Sequence, residues 1–220
     1  MEKKSAIILG STGLTGKFVI HMLLKDERYG SIKIFSRSKI GIVHPKLEEH
    51  IGDILHLEKF RDLFFADEVY CCIGTTKAKT PQKDLYKKID YGIPVTAARL
   101  CKEKGINTIV VISALGANPK SKLFYNRTKG LMEKEVLNCK IPNTYLLQPS
   151  LISGKREEKR LGEWLGKQLM GLFHFVLVGP LEKYRPIAPD TIAKAMVWLC
   201  NHDYETVRLE SDEIKYIAQK

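Results

Sequence analysis

Ala6-Ile7-Ile8-Leu9-Gly10-Ser11-Thr12-Gly13-Leu14-Thr15-Gly16 is the stretch that decides the fold. An apolar run enters three glycines spaced Gly10-x-x-Gly13-x-x-Gly16, and the amphipathic segment from Lys17 to Leu24 leaves them. The pattern reads as strand, tight turn and helix start. Gly10 lets the chain turn off the strand, Gly13 removes the Cβ that would hold a pyrophosphate away, and Gly16 lets the helix pack close to the sheet. The free amides of the turn and first helical residues, around Ser11, Thr12, Leu14 and Thr15, then face an anion. A glycine-rich turn without a ligand is the alternative. The strand before it and the helix after it favour a dinucleotide site.

Working outward, apolar strand-like runs alternate with helical patterns. Strands are expected at 6–9, 32–36, 47–51, 68–73, 108–113 and 143–148, and helices at 14–25, 55–63, 84–104 and 124–138. Pro94 predicts a kink or split in the third helix near Gly92, and Gly105 a helix C-terminus. Buried-looking strands such as Ile109-Val110-Val111-Ile112 call for a parallel sheet covered on both faces. The expected fold class is therefore α/β, a Rossmann-type doubly wound parallel sheet. Residues 1–150 are expected to form the nucleotide-binding core and 151–220 a small C-terminal lid packed on it. In that second region the pattern predicts a polar loop over 150–160, a helix over 161–175, and a second helix starting at Pro189. A last strand near 207–210 and a short terminal helix follow.

At 220 residues with 44% hydrophobic content the chain can bury one full core. The longest apolar candidate, 161–178, is interrupted by Glu163, Lys167 and His174, which argues against a membrane span. No signal peptide is expected ahead of the first strand. Five cysteines without a CxxC pair read as reduced and mostly buried, so a cytoplasmic location is expected. Six histidines without ligand spacing argue against a metal. The 36 basic and 25 acidic residues give a net charge of +11. The lysines are scattered and lack interleaved aromatics, so a solvated surface partly facing a polyphosphate cofactor is favoured over nucleic-acid binding.

Three further places carry chemistry. The second strand ends in Phe35-Ser36-Arg37-Ser38-Lys39, where an NAD site would carry an acid. Arg37 and Ser38 suit a 2′-phosphate instead, so NADP(H) is favoured over NAD(H). Asp53, followed by Ile54 at the end of the third strand, is placed to accept from an adenine amino group, with a plain turn aspartate as the alternative. After the fourth strand, Gly74, Thr75 and Thr76 let backbone approach the cofactor. The neighbouring Cys71 and Cys72 point to opposite faces of a strand, which favours burial over redox chemistry. Tyr125-Asn126-Arg127-Thr128-Lys129 places phenol and ammonium on one helical face. Bringing a phenol from pKa ~10 to ~7 takes roughly 4 kcal/mol, much of which a lysine and a cationic nicotinamide could supply. Tyr125 would then exchange a proton with a substrate oxygen, and Lys129 would also hold ribose hydroxyls.

Taken together, the chain resembles an atypical short-chain dehydrogenase/reductase and is most similar to the Tat-interacting-protein oxidoreductase family and its bacterial relatives. The resemblance covers nearly the whole chain. It rests on the glycine turn, Ser36-Arg37, Cys72 to Thr76, Ser113 to Gly116, Tyr125 to Lys129, Gln148-Pro149-Ser150 and Gly162-Glu163-Trp164-Leu165. It implies NADPH binding, Tyr125 and Lys129 in their usual roles, and Pro149 and Ser150 beside the nicotinamide. One departure stands out. Relatives with a full catalytic set carry a serine or threonine after the fifth strand, often as the second of two hydroxyl residues, and here Ser113 is followed by Ala114. If Ser113 faces the interior, the substrate oxygen lacks a donor, a loss of typically 10²–10³ in turnover.

The expected function is NADPH-dependent reduction of a small-molecule carbonyl substrate, with Ser113, Tyr125 and Lys129 as the catalytic set. Two alternatives remain. One is a non-enzymatic NADPH sensor engaging a protein through Arg156 to Arg160, and the other a nucleotide-sugar epimerase, which usually needs a larger C-terminal domain. A homodimer is compatible with the fold.

Overall fold

In the computed structural model, which describes residues 3–153 and 179–220, seven strands form one sheet in the order β3-β2-β1-β4-β5-β6-β7, every neighbouring pair parallel. The strands are β1 (Lys4–Leu9), β2 (Tyr29–Ser36), β3 (Leu47–Ile51), β4 (Glu68–Cys71), β5 (Thr108–Ile112), β6 (Asn143–Gln148) and β7 (Arg208–Glu210). The helices are α1 (Leu14–Lys25), α2 (Lys83–Lys87), α3 (Ile93–Lys104), α4 (Phe124–Asn138), α5 (Pro189–Leu199) and α6 (Ser211–Ile217). The Rossmann expectation holds.

Strand alternation explains the two faces. Ile8, Ile34, Val110 and Leu147 point one way and pack with Val19 and Leu23 of α1 and Ala193 and Met196 of α5. Ile7, Leu9, Val69, Val111 and Leu146 point the other way onto Ala97 and Leu100 of α3 and Met132 and Val136 of α4. Each of the Val, Ile, Leu and Met side chains among them is worth about 1.5–3 kcal/mol of apolar burial. Cys71 and Cys72 divide between the same two faces, as expected for neighbours along a strand.

Several boundaries differ from the sequence pattern. The element expected at 55–63 is a 3-10 helix, Ile54–Leu63, broken at His56. β4 stops at Cys71 instead of residue 73, although Cys72 N–H still bonds Leu9 O of β1 at 2.8 Å. The long helix expected at 84–104 is divided into α2, a wide π turn at Lys88–Gly92, and α3 with Pro94 in its first turn. Proline has no N–H to bond the carbonyl four residues back, and the wide turn absorbs that missing bond. In the C-terminal region β7 extends the sheet, α5 lies on α1, and Ser153 N–H reaches Ile187 O at 2.9 Å. These elements form part of the sheet and its helical layer. The loop expected over 150–160, apart from 150–153, and the helix over 161–175 lie outside the described residues. So do Arg156, Arg160 and Gly162 to Leu165.

A polar knot closes the edge where the strands begin. Glu68 Oε1 accepts from Tyr29 OH at 2.5 Å and from Tyr70 OH at 2.6 Å, and Lys4 Nζ reaches Glu68 Oε2 at 3.2 Å. Lys4 also binds Cys200 O at 2.8 Å and Asn201 Oδ1, tying the end of α5 to this edge. Burial raises the Glu68 pKa above the usual carboxylate value, although the two tyrosines and Lys4 oppose the shift. A raised folded-state pKa means the folded chain holds the proton more tightly, so this group's contribution falls as pH rises from the unfolded value. We expect Glu68→Gln to gain stability relative to wild type between about pH 5 and pH 8. Urea unfolding of both proteins across that range would show no trend if the pKa were unshifted.

Candidate functional site

All sequence-selected residues except those in α4 follow a strand, and in a parallel sheet that places them along one edge. The strand order reverses between β1 and β4, which opens a crevice at the carboxyl ends of those strands. The turn from Gly10 to Gly16 lies on one side of this point and Gly74 to Thr76 on the other. The two loops touch. Gly10 has φ +81°, and a Cβ on it would lie 2.7 Å from Cys72 O. A Cβ on Gly16 would lie 2.2 Å from Gly10 O, so α1 can approach the turn this closely only without a side chain. Gly13 N–H bonds Gly10 O at 2.9 Å, and no side chain caps α1. Its first amides, at Leu14, Thr15 and Gly16, therefore have no acceptor within the helix. Ser11 is 2% exposed, and its hydroxyl has no partner among the described residues. A buried orphan hydroxyl beside bare helix-terminal amides fits a diphosphate.

The base-side residues are more dispersed. Arg37 and Ser38 are exposed beyond β2, where Ser36 Oγ donates to Ser38 O at 2.7 Å. Asp53 caps the 3-10 helix, accepting from Leu55 N at 3.0 Å, and its other oxygen meets His56 Nδ1 at 2.9 Å. The His56 contact lowers the Asp53 pKa. The plain-turn alternative thus accounts for both of its carboxylate oxygens. Ile54 begins that helix.

The catalytic candidates divide. Tyr125 is 42% exposed near the start of α4, while Lys129, one turn on, is 2% exposed. Lys129 Nζ lies 2.9 Å from Asp90 Oδ1 and donates to Ile112 O at 3.2 Å. An ammonium has three donors, so one remains for a ligand such as a ribose hydroxyl. Burial pulls the Lys129 pKa down, but Asp90 and Tyr125 outweigh it, and the net shift is upward. Lys129 is therefore a fixed cation through the neutral range. Asp90 Oδ2 accepts from Thr75 N at 2.8 Å, and Thr75 Oγ1 shares a hydrogen bond with Thr80 Oγ1 at 2.8 Å. One carboxylate thereby joins the β4 loop, the π turn and α4.

Ser113 faces inward. Its hydroxyl donates to Glu133 Oε1 of α4, an oxygen that also accepts from Gln148 Nε2 at 2.8 Å. Glu133 Oε2 takes Arg208 Nε at 2.8 Å. Ser113 is therefore committed to a buried carboxylate, while Ala114 is 5% exposed. Ser150 ties two segments together, its N–H bonding Ser211 Oγ at 2.7 Å and its hydroxyl donating to Arg185 O at 2.5 Å. Pro149 O accepts from Leu115 N at 3.0 Å.

Asp90 and Glu133 escaped the sequence reading. The signal available was a carboxylate on the buried side of an otherwise apolar helical stripe, one turn before Pro94 in the first case. All five cysteines are free, and burial raises the Cys71 thiol to about 11. Among the described residues there is no cluster able to hold a metal and no helix long and apolar enough to cross a membrane.

No protein-family model matches the chain. Among curated proteins it is 30% identical over 206 residues to Protein FMP52, mitochondrial, of Debaryomyces hansenii, covering 90% of this chain and 88% of that protein. It is 27% identical over 175 residues to Protein HTATIP2 of Rattus norvegicus, covering 78% and 72%, in line with the resemblance drawn from the motifs. Its structure matches Bordetella bronchiseptica WbmH in complex with NAD+ with a TM-score of 0.69 at 13% identity, covering 99% of this chain and 80% of that one. At that identity the likeness concerns the fold. The expectation of a cytoplasmic location is overturned, because the FMP52 relatives are designated mitochondrial. Reduced, buried cysteines are common to many compartments and could not have decided it.

Removing one partner of a buried ion pair leaves the other charge uncompensated, at a cost of about 3–5 kcal/mol. Asp90→Asn should lose that much stability in urea unfolding at neutral pH. A loss under about 1 kcal/mol would mean that Lys129 does not depend on this carboxylate.

Proposed function

Because this chain belongs to the FMP52 family, we propose that it is an NADPH-dependent oxidoreductase that reduces a carbonyl group, with Tyr125 as the proton donor. The observation that carries the reading is the glycine cradle with the buried Ser11 hydroxyl, on the same sheet edge as Tyr125 and Lys129. Gly10 to Gly16 would hold the diphosphate, Gly74 and Thr75 would line the crevice, and Arg37 with Ser38 would meet a 2′-phosphate. The bound nicotinamide supplies the hydride.

The chain's own residues then have limited tasks. Tyr125 gives its phenolic proton to the substrate oxygen, at a position open enough for a ligand to reach. Lys129, held cationic by Asp90, stabilises the resulting phenolate through space. The Asp90–Thr75 bond sets the spacing between that cation and the β4 loop. Ser113 takes no part, since Glu133 holds its hydroxyl. A single donor on the substrate oxygen implies slow turnover relative to enzymes that supply two.

That same Ser113–Glu133 bond favours a second reading, an NADPH-binding sensor without turnover. The two separate on one experiment. Tyr125→Phe should reduce carbonyl-dependent NADPH oxidation by at least about 10² while leaving NADPH affinity within about twofold. Unchanged turnover would remove Tyr125 from the chemistry, and no turnover of any carbonyl by wild type would favour the sensor.

Cofactor choice is tested separately. Arg37→Glu should weaken NADPH binding by about tenfold or more and leave NADH binding little changed, as read by calorimetry. Equal effects on both would dissociate Arg37 from the 2′-phosphate.

A further inference from the structure

Two segments flank Tyr125 where the sheet ends. Segment 74–88 follows β4 and contains five lysines, and segment 114–127 follows β5 and contains two lysines and an arginine. Against these stands one acid, Asp84. Across the whole chain the ratio is only 36 basic to 25 acidic residues, so the bias is local. Every one of these charged side chains is exposed.

Ring contacts fasten the two segments together beside Tyr125. The Tyr86 ring meets Phe124 at 5.5 Å and Tyr125 at 6.4 Å between centroids, both edge-on. Lys83 Nζ sits 5.8 Å above the Phe124 ring, which directly precedes Tyr125. Lys120 and Lys122 belong to the other segment, whose path is set by Asn126 Nδ2 on Gly116 O at 2.7 Å and Asn118 N on Asn126 O at 3.0 Å. Asp90 and Glu133 are buried and already matched by Lys129 and Arg208. Among the described residues, Lys83, Lys120 and Lys122 have no acidic partner. The residues suited to the cofactor's phosphates, Ser11 to Gly16 and Arg37, follow β1 and β2, on other segments than these lysines.

We propose that the carbonyl substrate carries a phosphate or carboxylate group, held by Lys83 from one segment and Lys120 and Lys122 from the other. This rests on the assignment of Tyr125 as proton donor. The anion anchors the substrate at the rim while its carbonyl reaches the phenol. Exposed lysines act collectively through a local field, and their effect is screened by salt.

The test compares 4-carboxybenzaldehyde with its neutral methyl ester, using NADPH and low ionic strength. Wild type should prefer the acid by about tenfold in kcat/KM, and Lys83→Gln/Lys120→Gln/Lys122→Gln should bring that ratio near one. A ratio near one in wild type, or one that the triple variant leaves unchanged, overturns the proposal. A second arm does not need turnover: calorimetry of inorganic pyrophosphate on the NADPH-saturated protein. There the triple variant should weaken binding about tenfold, as should a rise in salt. If neither aldehyde reacts but this loss is seen, these two carbonyls are not substrates and the anion site stands. Unchanged pyrophosphate affinity overturns the site. So does a loss confined to binding of phosphatidylserine vesicles, which would make these lysines a membrane contact.

Discussion

The Asp90–Lys129 ion pair is the constraint around which the functional edge is arranged. Three chain segments far apart in sequence meet at this carboxylate: the turn after β4 through Thr75 N–H, the π turn between α2 and α3, and α4 through Lys129. A fourth, the end of β5, joins through Ile112 O. Neither charge reaches solvent, so each must be answered by the other and by backbone groups. The geometry is therefore all-or-nothing. A shift of α4 along the sheet would separate Tyr125 from the crevice and strand two buried charges together.

The second buried carboxylate does a different job. Glu133 accepts from Ser113, Gln148 and Arg208, joining β5, β6 and β7 to the inner face of α4. It fixes the sheet's far side and removes the Ser113 hydroxyl from the mouth. Asp90 thus holds the Lys129 cation beside Tyr125's helix turn, whereas Glu133 engages the Ser113 hydroxyl. Two acids on the same packing layer push the site in opposite directions. Beyond them, the lysine-rich rim adds a field whose sign is opposite to that of both buried acids.

At the other edge of the sheet, the Glu68 knot secures the strand starts and the end of α5. Parallel strands make this division natural, since all starts gather at one edge and all ends at the other. The edge with the candidate site is built from loops, and the opposite edge is closed by side-chain hydrogen bonds.

The fold was legible in the sequence because its signals are local. The run from Ala6 to Gly16 encodes a strand, a left-handed glycine and a helix packed against backbone, and each requirement excludes most other residues at its position. Continuous apolar runs such as Ile109 to Ile112 called for a sheet covered on both faces, and Pro94 announced the break in the long helix. The i, i+4 spacing likewise put Tyr125 and Lys129 on one helical face. What tertiary structure alone decided is which polar groups find each other. Whether Ser113 faces substrate or Glu133, whether Asp53 meets an adenine or caps its own helix, and which acid answers Lys129 depend on partners 20 and 39 residues apart, or on a local turn competing with a ligand. Hydrogen bonds carry no periodicity along the chain, and so no pattern in one segment can announce a partner in another.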